Sequence, residues 1–280
     1  MRCDVALLAD DLLNGVEERE LFPRLSERET AALARVARPE ARRRLAAGRL
    51  AAKHLLLRGE GVASAPFMTI RALDGATLLA FPAERYREVE VMPADGEGAP
   101  RPTRGGEPMK AQLSIAHAGG LSCAAVASGD EAIGVDLETV APRTGAFYRV
   151  NFTAGERAWV AAVGKSALAA LAGDDPEWLY VFLWTVKEAA LKSGAAGVRS
   201  VWDFPTVAVD TPPDLAGLLA TCVGGELGER FAACDLAVAV AGRRTRGRVE
   251  TTATATTILT TFRAATSGPT AVPTALEATP

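Results

Sequence analysis

At 280 residues, with 49% hydrophobic and 23% charged side chains, the chain can bury a sizeable core without disulfides or a structural metal, and it is neither collagen-like, coiled-coil nor wholly disordered. A formal charge of −3 and a pI near 5.6 exclude a global basic field for nucleic acid or an anionic membrane, so any anion site has to be local. Cys3, Cys123, Cys222 and Cys234 form no C-x-x-C pair, and His54 and His117 are the two histidines, which excludes a disulfide scaffold and a zinc cluster by spacing.

The N-terminal run Met1 to Leu13 is broken by Asp10 and Asp11, unlike the apolar core of a secretory signal. No stretch of about 18 uncharged apolar residues occurs, so the expectation is a soluble, cytoplasmic chain. From Ser26 to Arg58 the pattern predicts a helix pair interrupted near Pro39, with Leu33, Val36, Leu45, Leu50, Leu55 and Leu56 in the core. Its second helix carries Arg42, Arg43, Arg44, Arg49 and Lys53, a solvated basic face unless a ligand uses it. Residues 86–110, with Pro93, Pro100, Pro102 and Pro108, read as a long loop at a rim or forming a lid. Leu121 to Ala127 and Ala132 to Leu137 read as two strands joined by a short turn.

Asp174, Asp175 and Pro176 open a helix that Ser193-Gly194 ends, with Leu179, Phe182, Val186 and Ala190 as its buried stripe. Val201 to Val209 follows as a strand broken by Pro205, and Leu236 to Ala241 as another. Beyond Arg243 the chain turns Thr- and Ala-rich, with Pro269, Pro273 and Pro280, and reads as a disordered or loosely attached tail without chemistry. The coarse order fits an α+β protein of two similar halves, 1–128 and 129–242, followed by the tail 243–280.

Several common chemistries lack support. Gly164-Lys165-Ser166 resembles the end of a P-loop, but Trp159 stands where the first glycine belongs. Gly120-Leu121-Ser122-Cys123-Ala124 lacks the second glycine of a nucleophile elbow. No G-x-G-x-x-G lies between a strand and a helix.

What remains is a set of acids and cations. Asp136 and Glu138 are two apart, so on a strand both project to one face, either as a solvated strand end or as hard oxygen ligands for magnesium. Trp184, Glu188 and Lys192 recur every fourth residue on the predicted helix, with Lys187 beside them. They form an exposed Glu-Lys pair, or they bring Glu188 to the strand carboxylates as a third ligand and Lys192 to a phosphate. Trp184 is core packing or a ligand platform. His117, at a strand end before Gly119-Gly120, is structural or a phosphate donor.

Taken together and in order, these segments resemble the 4'-phosphopantetheinyl transferase family, in its two-domain, surfactin-synthetase-activating type. The matching signatures are Ser114-Ile115-Ala116-His117-Ala118-Gly119-Gly120, Ile133-Gly134-Val135-Asp136-Leu137-Glu138, Phe152-Thr153-Ala154-Gly155-Glu156 and Trp184-Thr185-Val186-Lys187-Glu188-Ala189-Ala190-Leu191-Lys192, with Ala47-Gly48-Arg49-Leu50 upstream. The resemblance runs from about residue 20 to about residue 240.

It implies a pseudo-dimer of two α+β halves with the active site in the cleft between them, and a monomer. It also implies transfer of the phosphopantetheine arm of coenzyme A to a serine of an acyl or peptidyl carrier protein, with release of adenosine 3',5'-bisphosphate. By the match, Asp136, Glu138 and Glu188 hold Mg2+, while Glu188, Lys192 and Asp136 are catalytic. Arg49, Arg44, His117, Lys187 and Lys192 grip the coenzyme, and Arg143 and Arg149 are candidates for docking the carrier. The chain departs from the family at Gly106-Glu107-Pro108, where Gly-Lys-Pro is usual, and at Ala116 and Ala118, where serines usually flank the histidine. The competing readings are a magnesium-dependent phosphoesterase or nuclease and a non-catalytic module that binds coenzyme A or a carrier protein.

Overall fold

A computed structural model of the chain describes residues 3–9, 16, 18–59, 69–93, 100–128, 131–163, 176–194, 207–211, 215–223, 226–240, 243–254 and 256–264. The predicted helix cap at Asp174 and Asp175, the Gly164-Lys165-Ser166 segment, the strand residues 201–206 and the tail beyond 264 lie outside them.

The first layer is a four-stranded sheet crossed by one long helix. Its strands are β1 (Cys3–Ala9), β2 (Thr69–Leu73), β6 (Ala111–Ala118) and β7 (Leu121–Ser128), in the order β2-β1-β7-β6, with β1 and β2 parallel and the other pairs antiparallel. Short α1 (Glu18–Leu21) precedes α2 (Glu27–Ala34) and α3 (Pro39–Arg58). Pro39 stands at the first helical position of α3, where its missing N–H costs nothing, so the predicted interruption falls where the new helix begins. α3 lies on β7, β1 and β6 and buries Leu50, Leu55 and Leu56 against Ala6, Leu8 and Ala124.

α4 (Gly75–Leu78) and α5 (Ala83–Arg87) lead to β3 (Val89–Pro93), β4 (Pro100–Arg104) and β5 (Glu107–Pro108), a small antiparallel sheet. This corrects the expected loop over 86–110. Pro93, Pro100 and Pro108 stand at strand ends, where a missing donor is tolerated, and Pro102 precedes the part of β4 that pairs with the two-residue β5.

The second layer is a five-stranded sheet in the order β8-β12-β11-β10-β9, antiparallel throughout. It is built from β8 (Ala132–Thr139), β9 (Val207–Val209), β10 (Ala232–Val240), β11 (Arg243–Ala253) and β12 (Thr257–Ala264). Between β8 and β9 come α6 (Gly145–Asn151), α7 (Ala154–Val163) and α8 (Glu177–Ser193), and α9 (Leu215–Ala220) precedes β10. α8 ends on Gly194 in the left-handed conformation, as the Ser-Gly stop predicts, and packs its Leu179, Phe182, Val186 and Ala190 into the core.

The expected loose tail is wrong over 243–264: those residues form β11 and β12, and β12 pairs with β8 along eight residues. Thr and Val are good strand formers, and the Thr-rich composition that resembled a low-complexity tail is here a buried sheet interior. β7 and β8, expected as neighbouring strands, belong to different sheets. They face each other across a third apolar cluster that includes Val5, Cys123, Ala125, Val135, Leu137 and Leu259. The Val135 amide donates across to Ser114 Oγ on β6 at 3.1 Å.

Both layers contain the same buried polar knot. In the first, Glu29 sits at the third position of α2 in a capping box with Ser26. Its carboxylate accepts from the Ser26 amide (2.7 Å), the Val91 amide (2.9 Å) and Lys53 Nζ (2.5 Å), and Lys53 also donates to the Arg24 carbonyl. In the second, Glu156 accepts from the Thr153 amide (2.8 Å), the Val209 amide (2.8 Å) and Lys187 Nζ (2.8 Å), and Lys187 also donates to the Asn151 carbonyl. The chain order is the same each time: a carbonyl two residues before the hydroxyl cap, the capping glutamate, a lysine on the long helix, then a strand amide. Burying a lysine is tolerable because its ammonium donates to both a carboxylate and a carbonyl.

Candidate functional site

Along β8 the even-numbered residues face α8 and the odd-numbered ones face the cluster between the sheets. Gly134 makes this approach possible, since a Cβ there would overlap the Ala189 carbonyl and meet the Ser193 amide. With helix and strand in backbone contact, Asp136 and Glu138, two and four residues on, come under the Trp184-Glu188-Lys192 stripe of α8.

Lys192 Nζ lies 2.5 Å from Asp136 Oδ1 and 3.7 Å from Glu188 Oε2. Trp184 Nε1 donates to Glu138 Oε1 at 3.2 Å, and Arg143, in the turn after β8, donates to Glu138 Oε2 at 3.3 Å. Lys192 therefore joins the strand acid Asp136 to the helix acid Glu188, while Glu138, held by Trp184 and Arg143, acts on both through its charge.

Asp136 is buried, and burial pushes its carboxyl up to about 7 against the pull of Lys192, with Glu188 and Glu138 adding to the rise. Burial raises Glu188 as well, opposed by Lys192 and reinforced by Glu138. Burial works against the Lys192 ammonium, but Asp136 and then Glu188 outweigh it and hold its pKa above the ordinary lysine value. Asp136 Oδ2 is buried without a hydrogen-bond partner.

Among the described residues, no three His, Cys, Asp or Glu side chains converge closely enough to hold a metal ion as they stand. The donor set nevertheless suits a hard divalent cation. It offers carboxylate oxygens only, one of them a buried orphan, and its central position already attracts a positive charge.

His117 lies at the end of β6, where Nδ1 meets the Oγ of its cross-strand partner Ser122 at 2.9 Å. Its ring rests on α3 at Gly48, where a Cβ would come within 2.7 Å of His117 Cε1. The His117 and Ala47-Gly48-Arg49-Leu50 segments, 69 positions apart in the chain if counted from Gly48 to His117, thus touch. Beyond His117, Gly119 (φ 56°) turns against Thr139, the residue after Glu138, with no room for a side chain. Arg49 donates to the Leu45 carbonyl at 3.4 Å, and burial lowers its pKa against the opposing effect of Glu29. Arg44 is half-buried on the same helix.

Lys187 does not join this group. Its Nζ is fully buried in the Glu156 knot, 4.9 Å from the Phe152 ring centroid, so the expected contact with a coenzyme phosphate is corrected to a structural role. Glu156 is likewise a buried partner rather than a site carboxylate. Sequence reasoning missed Arg143 as a partner of Glu138, and it missed Gly134 and Gly48 as the residues that admit close approach. A glycine beginning the Gly-Val-Asp-Leu-Glu run was the available signal.

The frame is α+β, and the facing sides of β8 and α8 carry three carboxylates and a lysine, a donor set suited to divalent cations and phosphate esters. Residues 132–241 match the family model of the 4'-phosphopantetheinyl transferase superfamily, a span that runs from β8 to the end of β10 and holds Asp136, Glu138, Glu188 and Lys192. No curated protein matches the chain. Among the described residues, no helix is long and apolar enough to cross a membrane.

Proposed function

We propose that this chain transfers the 4'-phosphopantetheine group of coenzyme A to a serine of an apo acyl or peptidyl carrier protein. The observation that carries the reading is that Lys192 bridges Asp136 and Glu188, with Glu138 on the same face of β8, inside the segment that matches the superfamily.

In this reading the serine oxygen attacks the β-phosphorus of the coenzyme's pyrophosphate. The bond to the bridging oxygen breaks, and adenosine 3',5'-bisphosphate leaves. Asp136, Glu138 and Glu188 would hold Mg2+, which supplies charge neutralisation on the pyrophosphate when bound. Lys192 directs its ammonium to the phosphate under attack, where positioned charge stabilises the transition state. Glu188, one helical turn before Lys192, takes the serine proton. His117, Arg49 and Arg44 hold the coenzyme's remaining phosphates.

The two layers act as the halves of a pseudo-dimer, with the coenzyme lying where the His117 hairpin abuts the end of β8. The recurring glutamate-lysine knot and the Gly119–Thr139 contact support that arrangement. The chain works as a cytoplasmic monomer, and Arg143, Arg149 and the adjoining turn face the carrier.

The test is the mass of an apo carrier protein after incubation with coenzyme A, Mg2+ and this chain, beside a Glu188→Ala control. A gain of one phosphopantetheine that disappears in the control is expected. Release of free phosphopantetheine, with no gain on fatty-acid, polyketide or peptide carriers, would favour the phosphoesterase.

A further inference from the structure

Glu138 differs from the other two site acids in being held from both sides by groups other than Lys192. Its Oε1 accepts from Trp184 Nε1 at 3.2 Å, and its Oε2 accepts from Arg143 Nη2 at 3.3 Å. The two donors are themselves joined. The Trp184 ring packs on Phe147 with centroids 4.9 Å apart, and the Arg143 guanidinium lies over the same Phe147 ring, 5.9 Å from its centroid. Glu138, Trp184, Phe147 and Arg143 thus form a closed circuit linking β8, α8, α6 and the turn between them.

The two donors differ in kind. Trp184 is neutral, sits on the rigid helix and fixes the direction of one oxygen. Each carboxylate oxygen has two acceptor positions, so the indole N–H leaves Oε1 free to bind a cation. Arg143 carries a full charge on a turn and is about a third exposed, so its bond to Oε2 is the weaker and more easily exchanged of the two.

We propose that Trp184 is a positioning residue for Glu138 and that Arg143 is its resident counter-cation, yielding Oε2 when a divalent metal binds. The inference rests on the metal-site reading above. Trp184 acts through Glu138 as outer-shell donors act on metal ligands, by fixing their orientation. Arg143 balances the charge of Glu138 as Lys192 balances Asp136, so the acids stay together before any ligand arrives.

The opposite signs make the proposal testable by Mn2+ binding to the full chain, followed by electron paramagnetic resonance, with carrier-protein transfer measured in parallel. Trp184→Phe keeps the ring against Phe147 but loses the N–H, and should weaken Mn2+ binding about tenfold. Arg143→Gln removes the competing charge and should tighten it by about two- to fivefold. Arg143→Lys, which keeps the charge, should bind as the wild type does.

The proposal is overturned if Arg143→Gln binds Mn2+ no more tightly than wild type, or if Trp184→Phe binds it as tightly. Arg143 lies on an exposed turn, so its variants report even if Trp184→Phe folds poorly. Wild type that transfers phosphopantetheine but binds no Mn2+ sinks this inference alone. Loss of both transfer and Mn2+ binding sinks the functional reading with it.

Discussion

Asp136 is the residue at which the cost of the site is concentrated. Its carboxyl is buried beside two other acids, one of its oxygens has no partner, and its pKa stands at about 7 instead of 3.8. Between about pH 4 and about pH 7, therefore, the folded metal-free chain holds a proton that the unfolded chain has released, and stability falls as pH rises through that window. Glu188, shifted in the same direction, adds to the fall. Asp136→Asn cannot titrate, so its melting temperature should decline less than that of wild type from pH 4 to pH 7 in the absence of divalent metal. Circular dichroism melts at several pH values check this, and parallel curves for the two proteins would sink it. The acids themselves were legible in the sequence because alternation along a strand and a spacing of four along a helix are geometric rules. The pairing of Lys192 with Asp136 was not, because it depends on how closely strand and helix approach.

At the scale of the element, that approach is set by Gly134. An alanine there has to push α8 away from β8, because its Cβ meets main-chain atoms that no rotamer change can move. Gly134→Ala should therefore cost about 3 kcal/mol by overpacking and abolish the Lys192–Asp136 contact, which urea denaturation and transfer activity would show together. The knot of α7 and α8 makes a second demand. Lys187→Met leaves the Glu156 carboxylate with two amide donors, so its cost should fall near the lower end for breaking a buried pair, about 3 kcal/mol. Glu156→Leu strips the acceptor from both amides and leaves the Lys187 charge unpaired, and should cost about 5 kcal/mol. The reverse order in urea midpoints would contradict the assignment of Glu156 as the hub. Both capping glutamates announce themselves in sequence, as Ser26 with Glu29 and Thr153 with Glu156 three positions apart. Lys53 and Lys187 do not, because a lysine in a cationic or amphipathic helix reads as solvated until the helix is placed against its neighbours.

For the whole molecule, the decisive piece is the segment that composition assigned to a tail. β12 pairs with β8 residue for residue, Thr260 opposite Asp136 and Ile258 opposite Glu138, and it separates β8 from β11. Its Leu259 enters the cluster between the two sheets, while Ile258 and Phe262 enter the core under α8. A hydroxyl chain from Thr185 through Thr260 to Thr251 ties helix and strands together inside that core. The long helices and the strands at β7, β8, β9 and β10 were readable from pattern, but a Thr- and Ala-rich strand buried on both faces lacks the alternation that marks a half-exposed one. A chain ending after residue 242 leaves one edge of β8 unpaired and the faces of two apolar clusters uncovered, which invites aggregation. A chain ending after residue 266 keeps both strands. The shorter chain should accumulate as insoluble protein and the longer one should melt within a few degrees of the full chain and retain transfer activity, read by soluble yield, calorimetry and carrier mass. A soluble, active chain ending at 242 would mean that β8 holds Asp136 and Glu138 in place without the strand that now lies beside them.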